Sequence, residues 1–137
     1  MREHGGYLRY EDFEKHHSEW VDPVSTNYRG YDVYQVGGNV QGTAVLQMLN
    51  ILEGFDLASK GLASTETLHL LIEAKKLAFE DRAKHYADPD FQDVPYDILL
   101  SKEYAAERRE LIGDEALADI SSGVEQLEEG DTIFLTT

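Results

Sequence analysis

The sequence predicts an α+β chain that is mainly helical, and three observations carry that reading. The longest stretch of helical periodicity, 64–86, is closed by a cap residue at one end and an Asp-Pro step at the other. A compact apolar run, 43–53, sits between a Thr and a Gly. Only two short stretches, Tyr31–Val36 and Thr132–Thr137, have the β-branched and aromatic enrichment of strands.

Taken in order, Gly5-Gly6 makes a turn and Tyr10 to His17 reads as a short helix, ended by Asp22-Pro23. Arg29-Gly30 is a turn that leads into the strand Tyr31–Val36. Gly37-Gly38-Asn39 is a loop in which glycine gives access to positive φ. Thr43 is then the expected N-cap of a helix that runs to Glu53, with Gly54 just beyond it. Val45, Leu46, Met48, Leu49, Ile51 and Leu52 leave that helix little polar surface, so it belongs in an interior or under a partner chain. In the long helix, Ser64 is the N-cap, and Leu68, Leu71, Ile72, Lys75, Phe79, Arg82 and Tyr86 recur at the spacing of one face. The stems of Lys75 and Arg82 contribute to that face. Asp88-Pro89 ends it and Pro95 opens another turn. A third helix spans Ser101 to Ile112, with Ser101 as N-cap, a stripe of Tyr104, Arg108, Leu111 and Ile112, and Gly113 as its stop. From Asp114 to Gly130 large apolar residues are few, and the stretch reads as loop or disordered chain.

Composition narrows the functional classes. The 137 residues suffice for one domain with a real core. Twelve Lys and Arg stand against 27 Asp and Glu, a formal net charge of −15, which disfavours nucleic acid and anionic membranes as partners. No apolar run approaches the ~20 residues of a membrane span. The N-terminal residues lack the apolar centre of a signal peptide, and the compartment stays open. With no cysteine there is no disulfide, thiol nucleophile or thiolate metal site.

The remaining candidates for chemistry are sparse. His69 and Glu73 stand four apart and could face one metal. Two ligands are too few, so a surface polar pair is the expectation, and neither a metal nor a cofactor is assigned. His4, His16 and His17 lie in polar surroundings without a triad partner at a recognisable offset. The loop 37–42 precedes a helix and could hold a phosphate, but it lacks the Lys and Gly spacing of a phosphate-binding loop and reads as a turn. Asp81-Arg82 and the cluster Tyr86 to Asp90 could line a site or form an ion-paired helix end. Thr132, preceded by Gly130-Asp131 and followed by Ile133-Phe134-Leu135, is a weak motif by itself.

Thr132 gains meaning from what precedes it. In order along the chain come Tyr28-Arg29-Gly30-Tyr31, the run Gln47 to Asp56, the run His69 to Arg82, Tyr86 to Phe91, and Leu100 to Tyr104. This series resembles the end of the large subunit of the γ-glutamyltranspeptidase family, related bacterial acylases included. The resemblance implies an N-terminal-nucleophile hydrolase with a four-layer αββα core, of which this chain is a mainly helical fragment. Residues 1–131 correspond to the C-terminal part of the large subunit, with an acidic processing linker at 114–131, and 132–137 to the start of the small subunit. The resemblance also implies self-cleavage between Asp131 and Thr132. Thr132 then serves as nucleophile and new N-terminus, its α-amine, of reference pKa near ~8, acting as base. The implied partners are a γ-glutamyl small molecule such as glutathione, an amino acid or water as acceptor, and the rest of the same precursor. Members of the family are often periplasmic or secreted. The other groups of the family's active site fall upstream or downstream of these residues, so the chain alone is expected to be inactive, and exposed apolar surface leads to an expectation of self-association. A competing reading is a non-catalytic helical interaction module that docks through Val45, Leu49 and Leu52.

Overall fold

The computed structural model describes residues 2–38 and 40–124. The Asp131–Thr132 junction and the strand expected at 132–137 lie outside them. A 3-10 turn at Arg2–His4 leads to α1 (Tyr10–Lys15), and a hairpin of β1 (Val24–Tyr28) and β2 (Tyr31–Gln35) follows. Then come α2 (Gly42–Leu52), α3 (Leu57–Lys60), α4 (Thr65–His85), α5 (Tyr96–Leu99) and α6 (Lys102–Glu110).

The hairpin is antiparallel, with Tyr28 opposite Tyr31 and Val24 opposite Gln35. Its two-residue turn places Arg29 at φ 51° and Gly30 at φ 90°, the doubly left-handed geometry whose twist suits a tight hairpin. The sequence reading foresaw the turn and β2 but not β1. Val24-Ser25-Thr26-Asn27-Tyr28 is half polar, and it becomes a strand because β2 supplies its hydrogen-bond partners. Thr26 and Asn50 fasten the hairpin to α2, the threonine hydroxyl donating to Asn50 Oδ1 at 2.6 Å.

α2 begins two residues earlier than the expected cap implies. Gln41 occupies the cap position without a side-chain cap bond, and Thr43 lies inside the helix, fully buried, with its hydroxyl unpartnered. Thr43 is therefore a packing residue and not the N-cap. The caps expected at Ser64 and Ser101 are present. Each hydroxyl accepts from the backbone N–H three residues on, at 3.1 Å, and satisfies a donor that the first helical turn leaves free.

The core lies where α2, α4 and α6 meet. Ile51, Leu52, Leu70, Ala74, Leu77 and Ala105 form its main cluster, and Leu99, Tyr104 and Val124 a second one. The docking surface envisaged on α2 loses Leu52 to that core, while Val45 stays exposed. α4 also turns a different face inward from the one predicted. Leu68 and Ile72 are about half exposed, at 47% and 54%. The buried face carries Thr67, Leu70, Glu73, Ala74, Leu77, Ala78, Asp81 and His85. Apolar periodicity pointed the wrong way because three of these are ionisable side chains. On α6 the expected stripe holds for Tyr104, Arg108 and Ile112, while Leu111 faces solvent.

The close of α2 depends on one glycine. A Cβ at Gly54 would lie 2.1 Å from Arg109 Nε. The space lets the guanidinium donate to Ile51 O at 2.8 Å and Asn50 O at 2.9 Å, satisfying carbonyls at the helix end. Lys102 extends the bracing, with its ammonium on Asn27 O at 2.5 Å, Asn50 Oδ1 at 2.7 Å and Glu53 Oε2 at 2.6 Å.

Candidate functional site

The residues with unusual chemistry are the polar groups that α4 buries. Asp81 is fully enclosed and accepts at both oxygens. Gln47 Nε2 of α2 donates to Oδ2 at 3.0 Å, and the Tyr104 hydroxyl of α6 donates to Oδ1 at 2.8 Å. Arg108, 4% exposed, brings Nη2 to 3.9 Å from Oδ1 and stacks over the Tyr104 ring. The Tyr86 hydroxyl donates to Gln47 Oε1, so three helices share one chain of hydrogen bonds. Burial, with Asp81 beside them, pushes the pKa values of Tyr86 and Tyr104 well above the ordinary phenol range.

This network reaches the acidic segment after α6. Arg108 Nη2 donates to Ser121 O at 2.8 Å, and Gly123 N donates to the Tyr104 hydroxyl at 3.1 Å. His85 Nε2 lies 2.6 Å from Ser122 Oγ, which also accepts from Val124 N at 3.3 Å. Val124 is 3% exposed and packs with Leu99 and Tyr104. Burial pushes the His85 pKa down, Asp81 opposes that shift, and Lys84 adds to it.

A second tie holds the same segment further upstream. Lys76 Nζ donates to Leu117 O at 2.5 Å, and Leu117 N donates to Glu73 Oε2 at 3.2 Å. Glu73 is buried and also pairs with Lys76 at 3.0 Å. Burial raises its pKa, but the bonds from Lys76 and the Leu117 N–H outweigh that and hold it below the usual carboxylate value. Leu117 and Ile120 pack against the main core. Residues 114–124 are thus a strap laid across α4 and α6. The segment is loop, as expected, without helix or strand, but a handful of polar anchors at Leu117 and Ser121 to Gly123 hold it against the helices where its few large apolar side chains would not. The rest of the linker, 125–131, lies outside the described residues.

The candidates from the sequence fall out as follows. Thr132 lies outside the described residues. His69 and Glu73 do not converge: His69 Nε2 meets Gly113 O at 2.8 Å, and Glu73 serves Lys76 and Leu117. His4, His16 and His17 are exposed. In the loop before α2, Gly38 N donates to the Tyr96 hydroxyl, a turn pinned by a side chain. Asp81 is the centre of the buried network, where its ion-pair partner is Arg108 of α6, and Arg82 stacks on Phe79 at 5.6 Å. The roles of His85 and Arg108 escaped the sequence reading. Their one visible signal was an ionisable residue one turn from Asp81 and another on the α6 stripe.

Comparison with known proteins supplies the rest. The family model described as gamma-glutamyltranspeptidase matches residues 1–137. The glutathione hydrolase-like YwrD proenzyme of Bacillus subtilis is 44% identical over 82% of this chain and 22% of its own length. The acylase ACY 1 proenzyme of Pseudomonas sp. strain SE83 is 41% identical over 99% of this chain and 25% of its own. Among solved structures, the Helicobacter pylori γ-glutamyltranspeptidase superposes with a TM-score of 0.81 at 33% identity, covering 93% of this chain and 38% of that one. The cephalosporin acylase of Bacillus halodurans superposes with a TM-score of 0.73 at 45% identity, covering 85% and 21%. The chain spans about a quarter of the length of these curated relatives.

Proposed function

The chain belongs to the γ-glutamyltranspeptidase family, and on that premise we propose that it is part of a self-processing precursor of an N-terminal-nucleophile acyltransferase or hydrolase. The observation that carries the reading is the family match along the whole chain, shared by relatives whose names specify proenzymes. Thr132 is the proposed nucleophile. In the precursor its hydroxyl attacks the Asp131 carbonyl, the amide becomes an ester, and water opens the ester to leave Asp131 as a C-terminus and Thr132 as an N-terminus. In the mature enzyme the same hydroxyl, with the new α-amine as base, takes the acyl group of a γ-glutamyl amide and passes it to water or an amino acid. Similarity to both a glutathione hydrolase-like protein and an acylase makes the acyl group itself the open specificity.

In this reading the described residues form the end of the large subunit in an αββα core and contribute no group that touches substrate. The 137-residue chain by itself is inactive, because oxyanion donors and substrate clamps supply orders of magnitude in rate. The test is intact mass and N-terminal sequencing of the full-length precursor, with and without Thr132→Ala. Two fragments with the new N-terminus at Thr132, absent from the alanine variant, support the proposal. A precursor that stays uncut with Thr132 in place overturns it. Turnover of a chromogenic γ-glutamyl anilide against an aliphatic acyl anilide by the cleaved protein then separates the two substrate classes.

A further inference from the structure

The arm that precedes the hairpin carries side chains suited to burial and buries none of them. Residues 10–23 are exposed without exception, and no residue of α1 is buried. Tyr10 and Phe13 stand three apart on one face of α1, at 76% and 62% exposure. Tyr7 lies exposed ahead of the helix, and Trp20 is fully exposed beyond it. At ~150–250 Å² for each aromatic side chain, these four offer roughly 500–800 Å². That matches or exceeds the largest apolar patch of a typical monomer, ~300–600 Å², and approaches the ~800 Å² that one partner contributes to a standard interface. Local bonds shape α1 without being enough to keep it. Arg9 N donates to Asp12 Oδ2 at 2.7 Å, and Arg9 Nη1 donates to Gly6 O at 2.5 Å and to Leu8 O at 3.0 Å. An isolated helix shorter than ~12–15 residues is marginal in water. α1 has 6 residues, so its order needs a surface against the face of Tyr10 and Phe13.

We propose that residues 7–20 are a docking arm, seated in an apolar groove on the part of the precursor outside these 137 residues, with Tyr10, Phe13 and Trp20 as its anchors. Three observations select this occupant. The family match runs through the arm, yet it takes up only 25% of the ACY 1 acylase relative, which leaves the larger part of that polypeptide for the arm's counterpart to meet. A second copy is the poorer occupant, since each copy carries a formal net charge of −15 and like charges oppose close approach. The body of this chain is not the occupant either, because the arm stays exposed beside it. A short helix that lays aromatic side chains into a groove is a common mode of recognition, and aromatic anchors are where interface energy concentrates. The inference rests on the reading of this chain as part of a longer precursor, but not on the cut in front of Thr132.

The experiment places a photo-cross-linking residue in the arm of the full-length precursor. One protein carries Phe13→benzoylphenylalanine and another Trp20→benzoylphenylalanine, so that misfolding of either leaves the other to decide. After irradiation, gel mobility and peptide mass spectrometry locate the new bond. The expected result is a link within one precursor to residues outside 1–137. A species of doubled mass that grows with concentration makes the occupant a second copy and overturns the inference. A link confined to residues 1–137, or no link from either position, overturns it too. Adding Tyr10→Ser to the Trp20 variant is expected to cut the yield several-fold, and an unchanged yield overturns the role of α1 as the anchored element. The same gels score self-cleavage in front of Thr132. A precursor that cuts without cross-linking loses this inference alone, and one that cross-links as expected without cutting loses the cleavage reading alone.

Discussion

Replacing Asp81 is the sharpest test of the buried network. Asp81→Ala removes a carboxylate that takes hydrogen bonds from Gln47 and Tyr104 and faces Arg108 at 3.9 Å, all without water access. Breaking one partner out of a buried pair costs about 3–5 kcal/mol, because the other charge stays buried without compensation. The orphaned Gln47 and Tyr104 donors place the loss toward the upper end. Set against the total stability of about 5–15 kcal/mol usual for a domain, this takes away a large part. In urea, with an m-value of about 1.5 kcal/mol/M, the unfolding midpoint drops by about 2–3 M. Asp81→Asn provides the internal control. It keeps an acceptor for Tyr104 but turns an amide toward the Gln47 amide, so it costs about 1–3 kcal/mol, less than alanine. The assay is equilibrium urea unfolding of the 137-residue chain, followed by far-UV circular dichroism. A loss under 1 kcal/mol for Asp81→Ala, or equal losses for the two variants, refutes the argument that this carboxylate organises the three helices.

Two further outcomes follow from the same geometry. His85 has its pKa lowered in the folded chain by burial, so the unfolded chain binds the extra proton more readily. Its contribution to stability is therefore complete above the unfolded value of 6.5 and is lost as pH falls below it. The melting temperature should decline from pH 6.5 to pH 5, and His85→Gln should flatten that decline; an unchanged slope in the variant refutes the assignment. Lys102→Met removes donors to Asn27 O and Asn50 Oδ1 and should cost about 1.5–3 kcal/mol in a urea melt, with Lys102→Arg recovering part of it.

What the sequence disclosed was what local chemistry decides. Ser64 and Ser101 announce helix starts because a hydroxyl three residues before a free N–H caps a helix whatever packs on it later. Arg29-Gly30 announces a hairpin because few residues tolerate two successive positive φ values. The inward face of α4 was illegible because packing there is polar. Glu73, Asp81 and His85 face inward only because Lys76, Tyr104 and Ser122 wait for them from 3, 23 and 37 residues away. β1 hid for the same reason, since its partner strand and Asn50 decide it. That 114–124 is loop was legible, but its anchoring was not, because charge density reads as solvation and the anchors belong to other elements. The family was legible through the order of its long motifs, whereas Thr132 depends on that resemblance alone.

The hairpin has a consequence of its own. Among the described residues the sheet has two strands and no interior one, so each strand turns one row of backbone donors and acceptors to its far side. With Tyr28 opposite Tyr31 at a two-residue turn, Asn27 and Ser25 direct their peptide groups away from β2, as Asp32 and Tyr34 do from β1. On the β1 side the row is already interrupted, because Lys102 places its ammonium on Asn27 O. A charged side chain seated there is what sheets use to refuse another strand. The β2 side carries no such guard among the described residues, and Tyr31 and Tyr34 stand exposed along it. Growth of this sheet is therefore one-sided: a further strand, whether from the rest of the polypeptide or from a second molecule in a concentrated solution, finds its template at β2.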